Sequence, residues 1–487
     1  MLAMALFCCA CAAYWLWRRM HRKTTEPPYL PWWCPILGHT PILLYCRDYW
    51  NVANKIANQI HDMGGAVTAS IGPRTYYALT DPDDISTVAN TCLHKDVVYE
   101  FGKPLLGEGL LTAKLSIWKN HRKLLNPAFN QSVLDTFMGV FNSQSRKLVR
   151  ELEKEAGKGP FDHWIYTKLN ALETIFLTAL GVDSTDTDLN LTEYIEALET
   201  TLSAFFERVL KFWWYSPYTF AFSNLKRKQD ASIKILHNVS NTGKTDIPNQ
   251  LFNLMFYSIS NLANIKFVTD LILELSAENG AFNDREIREQ VDTIIFSGHD
   301  TSANVLMYTM LLLGSHPEAQ EKAFSEIQEV LGDGDRDVEK TDLSKLVYLE
   351  AVLKESMRMF TIGPIIVRGL DRDVKLRNCT LSAGTPCFLF LFAVNKHPMW
   401  GPDVHEFKPE RWLEPGRLPN NPNAFAAFSF GRRMCIGKTY ALMSMKTTLA
   451  HVIRYYRITA DLTKLRLKMD VMLKPDSGHY VSIEKRT

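Results

Sequence analysis

The chain has 487 residues, with 55 Lys and Arg against 53 Asp and Glu, for a formal net charge of +2 at pH 7. Near balance without a concentrated basic stripe excludes a nucleic-acid interface, while 46% apolar residues over this length are enough to bury a large core and a cofactor within it. The cysteines are nine, an odd number without regular spacing, which excludes a disulfide framework, and no CxxC pair or HExxH stretch offers a zinc site.

Met1 to Trp17 is apolar throughout and ends in the basic run Arg18, Arg19, His21, Arg22 and Lys23. The charges follow the apolar run and no small-residue cleavage site is evident, so the segment reads as an uncleaved membrane anchor rather than a signal peptide. The positive-inside rule then places everything after it in the cytosol. Pro27 to Pro35 is rich in prolines that fix φ and resist helix, which makes a stiff spacer ending near Gly38. The resulting division is an anchor over 1–17, a basic flank and proline-rich hinge over 18–38, and one cytosolic domain over 39–487.

Ala66–Ile71 and Thr75–Leu79, separated by Gly72-Pro73, predict a β-hairpin, and Asp81-Pro82 opens a helix. Lys95 to Leu111, rich in glycine and apolar residues, predicts a mobile loop. Trp118 and Arg122 are four apart on a predicted helix and share a face, where indole N–H and guanidinium together could clamp one carboxylate. From Val133 to about Leu273 the pattern is helical and low in signature, apart from an aromatic-rich stretch between Phe205 and Phe222.

Asn283-Asp-Arg-Glu286 predicts a capped helix that runs to about Ser315. Gly298 in its middle costs roughly 1 kcal/mol against alanine and calls for a packing or functional reason, such as room beside a bound cofactor. Asp300 and Thr301 put a carboxylate and a hydroxyl side by side, enough to relay protons through water as general acid catalysis requires. Glu355 and Arg358 lie three apart on a helical face. Thr361–Val367 is apolar and breaks the helix at Gly363-Pro364, while Val374–Leu381 and Thr385–Phe390 flank Ser382-Ala-Gly384 and read as a second hairpin.

The stretch Phe428-Ser-Phe-Gly-Arg-Arg-Met-Cys-Ile-Gly437 places Cys435 in a glycine-bounded loop, after Arg432 and Arg433 and before an apolar-patterned segment over Lys438–Tyr455. Turn N–H groups, a following helix and the two arginines would all favour an anionic sulfur. The stretch resembles the haem-binding loop of the cytochrome P450 superfamily and matches every fixed position of Phe-x-x-Gly-x-Arg-x-Cys-x-Gly. Within that superfamily Phe296–Ala303 and His121–Phe129 look like family 4 and its clan.

The resemblance implies a mainly α fold with a small β-rich lobe, preceded by the N-terminal membrane anchor helix, in the manner of microsomal class II members. It implies haem b with Cys435 as iron ligand, Trp118, Arg122, Arg368, Phe428, Arg433 and Gly437 as cofactor-binding residues, and Asp300 and Thr301 as the catalytic pair. Phe101, Leu105 and Leu110 become candidate pocket-lining residues, and Glu355, Arg358 and Arg411 a buried structural network. Many fatty-acid hydroxylases of the clan carry, where this chain has Ser297, a glutamate that esterifies the haem; a serine cannot, so the haem is expected to be non-covalent.

The implied reaction is insertion of one oxygen atom from O2 into a lipophilic substrate, whether fatty acid, terpenoid, hormone or xenobiotic. NADPH-cytochrome P450 reductase would be the electron-delivering partner and cytochrome b5 a second one, at the endoplasmic reticulum membrane with the catalytic domain facing the cytosol. Two other readings stay open: a thiolate-haem isomerase or dehydratase, and a haem-binding sensor without turnover.

Overall fold

A computed structural model describes residues 25–34, 37–46, 48–183, 190–242, 267–279 and 281–486. The expected anchor over 1–17 and its basic flank lie outside these residues. Among the described residues no helix is long and apolar enough to cross a membrane.

The fold is mainly helical with small sheets. In chain order the elements that matter for the site are α1 (Tyr49–Asp62), β1 (Ala66–Ile71), β2 (Arg74–Leu79), α2 (Pro82–Thr91), α3 (Leu115–Leu125), α4 (Met138–Glu153), α5 (His163–Ile175), α6 (Leu191–Leu210), α7 (Asp284–Ser315), α8 (Val347–Met359), β3 (Ile365–Gly369), β4 (Pro386–Phe390), α9 (Lys438–Tyr455), β5 (Arg466–Met469) and β6 (Leu473–Ser477). The predicted first hairpin is present, with Ile71 opposite Arg74 and Ala66 opposite Leu79. Asp81 caps α2, accepting from the backbone N–H groups of Asp83 and Asp84, and Pro82 takes the first turn, where its missing N–H costs nothing.

The second hairpin forms differently from the sequence expectation. Val374–Lys375 pairs with Thr380–Leu381 across a turn at 376–379, and β4 does not join them. Instead β4 lies parallel to β2, with Cys387 opposite Tyr77, and antiparallel to β3, giving the sheet order β1-β2-β4-β3. Burial decides this: Cys387 and Leu389 are fully buried in the sheet, beside Leu79 and Leu381, where an exposed local hairpin would have left them in water.

The centre of the molecule is α7. Its start is a capping box, in which the Asn283 side chain accepts from the Glu286 N–H and the Glu286 side chain from the Asn283 N–H. Its C-terminal half, Ser302 to Gly314, is buried on every side, which is what a helix apolar all round requires. Gly298 is explained by packing rather than by room for a cofactor: a Cβ there would lie 2.7 Å from Ile175 Cδ1 and 3.0 Å from its Cγ1, so the glycine lets α5 approach α7.

Under the site, the Glu355 carboxylate on α8 takes Arg358 Nη2 at 2.8 Å and Nε at 2.9 Å, Arg411 Nε at 3.3 Å, and the Trp412 indole N–H at 2.9 Å. Arg411 also reaches Asp403 at 2.9 Å. Every donor in this buried group has a partner, the condition under which buried charge is tolerated.

Candidate active site

The loop before α9 is shaped by backbone constraints. The Cys435 N–H donates to the Phe428 carbonyl at 3.0 Å and closes the turn. Gly431 has φ +69°, and a Cβ there would sit 2.8 Å from the Ala89 carbonyl oxygen and 2.8 Å from Asn90 Oδ1, so only glycine fits against α2. Gly437 caps α9 and its N–H points to the Cys435 thiol.

The Cys435 side chain is accessible, yet the space it faces is enclosed: burial pushes the thiol up, while the Gly437 N–H and the charges of Arg122 and Lys438 pull it down. Arg122 and Lys438 thus supply the charge that the sequence assigns to Arg432 and Arg433. Burial prevails, so the thiol is held above its ordinary range, and a bound cation would favour its anionic form.

Arg433 turns from the sulfur to Trp118, its guanidinium carbon 4.2 Å from the ring centroid. It donates to the carbonyls of Leu93 at 3.1 Å and Ala113 at 3.3 Å, and its buried Nη1 has no hydrogen-bond partner among the described residues. Arg368, 1% exposed, donates to the Val367 carbonyl at 3.3 Å, and its buried Nε has no hydrogen-bond partner among the described residues. Beside them the Lys95 ammonium stands 3.9 Å over the Tyr99 ring. Burial and the two neighbouring guanidiniums hold Lys95 well below the ordinary lysine range. Burial, then Arg368, lowers Arg433 to about 9.

Three converging cations with no carboxylate among the groups that most affect them, and two with an unused N–H, fit a dianionic ligand such as the paired propionates of haem. Lys95 carries no motif and escaped the sequence reading. Arg122 donates to Asn126 Oδ1 at 2.9 Å and to the Met434 carbonyl at 3.0 Å, bracing the thiol loop.

Helix α3 also touches α7, since His121 Nδ1 lies 2.9 Å from Gln290 Nε2, so one helix joins the thiol loop to the central helix. Along the middle of α7, Ile294, Ser297, Gly298 and Thr301 are the positions that remain accessible, and they form a single stripe at i, i+3, i+4 and i+7. Thr301 Oγ1 donates to the Ser297 carbonyl at 2.7 Å, and Ser297 Oγ to the Thr293 carbonyl at 2.6 Å.

Asp300 is not on that stripe. Adjacent helical residues do not face each other, and its carboxylate, 1% exposed, turns to the back of α7, 3.5 Å from Lys474 and 3.2 Å from Asn304 Nδ2. The carboxylate and hydroxyl that are neighbours in sequence are therefore separated in space.

An apolar cavity of about 240 Å³ lies between α1, α6 and the sheet, lined by Phe205, Pro364, Ile365, Val367 and Phe388 among others. The Thr361–Val367 segment thus borders it as expected. From the 95–111 segment, however, the wall is Val98 and Tyr99 and not Phe101, Leu105 or Leu110; Phe101 packs on Tyr215 at 5.2 Å instead. Tyr99 and Val367 also belong to the cationic cradle, so cavity and cradle adjoin.

Comparison with known proteins agrees with this arrangement. The cytochrome P450 family model matches residues 27–482. The chain is 31% identical to mouse cytochrome P450 4V2 over 440 residues, 85% of this chain and 81% of the relative. It is 31% identical to cytochrome P450 4c21 of Blattella germanica over 466 residues, 93% and 91% of the two, and 31% identical to cytochrome P450 4c3 of Drosophila melanogaster over 430 residues, 84% and 79%. An enclosed lone thiol, a cationic cradle and a match along nearly the whole chain to relatives of family 4 make one conclusion: the chain belongs to the cytochrome P450 family and is a haem-thiolate monooxygenase of family 4.

Proposed function

We propose that this monooxygenase oxidises a lipophilic substrate at the endoplasmic reticulum membrane, tethered by the segment over 1–17 with the catalytic domain in the cytosol, and draws electrons from NADPH through a reductase, with cytochrome b5 as a second donor. The observation that carries the reading is the enclosed Cys435 thiol, raised by burial and balanced by Arg122, Lys438 and the Gly437 N–H. The apolar cavity supports a lipophilic substrate.

When bound, haem b supplies activation of O2 for insertion of one oxygen atom. Cys435 would ligate its iron, with Phe428 and Gly437 holding the loop. Arg368, Arg433 and Lys95 would take its propionates, Trp118 would fix Arg433, and Arg122 would hold the thiol loop through Met434. Ser297, whose hydroxyl donates to the Thr293 carbonyl, has no carboxylate with which to form an ester link to haem. Thr301, on the accessible stripe of α7, would hold a water on its hydroxyl oxygen for proton delivery, with Asp300 as the acid behind it.

The first test is the carbon monoxide difference spectrum of the membrane-bound protein reduced by NADPH through a microsomal reductase. A strongly red-shifted Soret band is expected, and substrate screening follows it. A band that formed only with dithionite would remove the reductase pairing. In the Thr301→Ala protein, oxygen uptake should persist with several-fold more peroxide per product; an unchanged ratio would end the assignment of Thr301.

Lys119, Lys123, Arg432 and Lys438 are all exposed, on α3 and around the thiol loop. They form a basic face suited to an acidic redox partner, through attraction that salt weakens. Reversing these four charges should slow reduction by about tenfold or more at low salt, with much less effect at high salt. Reduction rates that ignore both the reversal and the salt would show that the partner docks elsewhere.

A further inference from the structure

Behind the accessible stripe of α7 lies a buried group of charges of which only Asp300 has been given a role. Lys474, at the start of β6, has no exposed side-chain surface. Its ammonium is 2.7 Å from Glu199 Oε2 on α6, 3.5 Å from Asp300 Oδ2 on α7, and 4.0 Å from Asp470 Oδ2 in the turn between β5 and β6. Glu199 in turn holds Lys168 of α5 at 2.5 Å. On its own helix Asp300 has His299 beside it, a buried imidazole whose burial disfavours the charged form, and Asn304 as a hydrogen-bond donor. Every charged side chain named here comes from a different element, so the group is assembled only in the folded protein.

We propose that Lys474 is a positioning residue that holds the Asp300 carboxylate at the back of α7, away from the face that carries Thr301. The inference rests on the reading of Asp300 as the proton-delivering acid. Two independent features of the geometry support it. Among the described residues Asp300 Oδ2 has no hydrogen-bond partner, and Lys474 is its ion-pair contact, with Lys168 and His299 as weaker charges, so the Lys474 contact sets its direction. And Lys474, enclosed with no water-facing surface, can satisfy its charge only against Glu199, Asp300 and Asp470.

Opposite charge favours the ionised carboxylate and burial disfavours it. In the folded protein the net effect on Asp300 is a lowered pKa despite burial, and Lys474 is raised. Asp300 therefore stays an anion at neutral pH while the pair is intact. To act as an acid it must leave Lys474, at which point burial favours its protonated form. Proton delivery becomes contingent on breaking one ion pair, and the carboxylate released by that delivery is drawn back to Lys474.

The test uses the haem-loaded resting protein and infrared difference spectroscopy, which reads the C=O stretch of a protonated carboxyl without any turnover. At neutral pH the natural protein should show no such band from Asp300. The Lys474→Met protein should gain one, absent again in Lys474→Met/Asp300→Asn, and Lys474→Arg should keep the natural spectrum. Because removing one buried cation leaves three carboxylates without it, Lys474→Met/Glu199→Gln, which preserves the net charge of the group, is made alongside and should gain the same band. A structural role alone would lower the yield of folded protein and leave the spectrum unchanged.

If neither variant gains a band that depends on Asp300, the positioning role is overturned. The relay reading fails separately: were Asp300→Asn to leave peroxide per NADPH unchanged with the substrate found by screening, Asp300 would not be the acid, whatever the infrared spectra show.

Discussion

Cys435→His should keep the fold, still bind haem through its cradle of cations, and lose both the red-shifted carbon monoxide band and all measurable oxygenation. The sulfur's environment explains the size of the effect. The loop is closed by the Cys435 N–H on the Phe428 carbonyl, a backbone bond that any side chain preserves, so the turn survives the change. What disappears is an anionic ligand. A neutral imidazole does not push electron density towards the oxygen side as a thiolate does. Arg122 and Lys438, which now balance the sulfur, would face a neutral group. The spectrum of the reduced, carbon monoxide-treated protein and a product assay check this together. Oxygenation surviving at even a few per cent of the natural rate would refute the ligand assignment.

The Glu355→Gln change should be nearly as damaging for a different reason. The carboxylate neutralises two buried guanidiniums at once, Arg358 and Arg411, and also accepts the Trp412 indole N–H and the Lys408 backbone N–H. An amide of the same shape keeps at most part of the geometry and none of the charge. Breaking a buried pair by neutralising one partner costs about 3–5 kcal/mol, a large share of a total stability of about 5–15 kcal/mol. The melting temperature should fall by about 3–5 °C, with loss of haem on purification. Calorimetry on the natural and variant proteins decides it; equal melting temperatures and equal haem content would mean that the group is not what holds α8 to the segment beneath it.

Much of this fold is legible where partners are close in sequence. The β1–β2 hairpin needs only the Gly72-Pro73 turn between two alternating runs, and the Asn283 capping box needs only three residues of spacing. The Cys435 loop is legible because so many of its positions are constrained at once, Gly431 by its approach to Ala89 among them. The misread elements share a cause, namely that their partners are remote. Thr385–Phe390 looks like the second arm of a hairpin until Tyr77 is known to lie against Cys387.

Helical phase explains the rest. Asp300 and Thr301 look like a pair when written side by side, yet a step of one residue turns them to different faces; the polar and small residues Ser297, Gly298 and Thr301 already marked the accessible stripe at helical spacing. Within the short 3₁₀ segment Val97–Gly102 a similar uncertainty of phase hid Val98 and Tyr99 behind the larger Phe101. Lys95 and Lys474 are single lysines without a motif, and only the converging charges around them give them meaning.

The strand order β1-β2-β4-β3 bears on how the chain is made. β2 emerges from the ribosome early, while β4, its parallel neighbour, follows about 300 residues later. At about 5–20 residues per second, the β2 edge waits on the order of tens of seconds with its N–H and C=O groups open to any passing strand. The hairpin is thus prone to association in the newborn polypeptide, and the yield of finished enzyme depends on what shields that edge until β4 arrives.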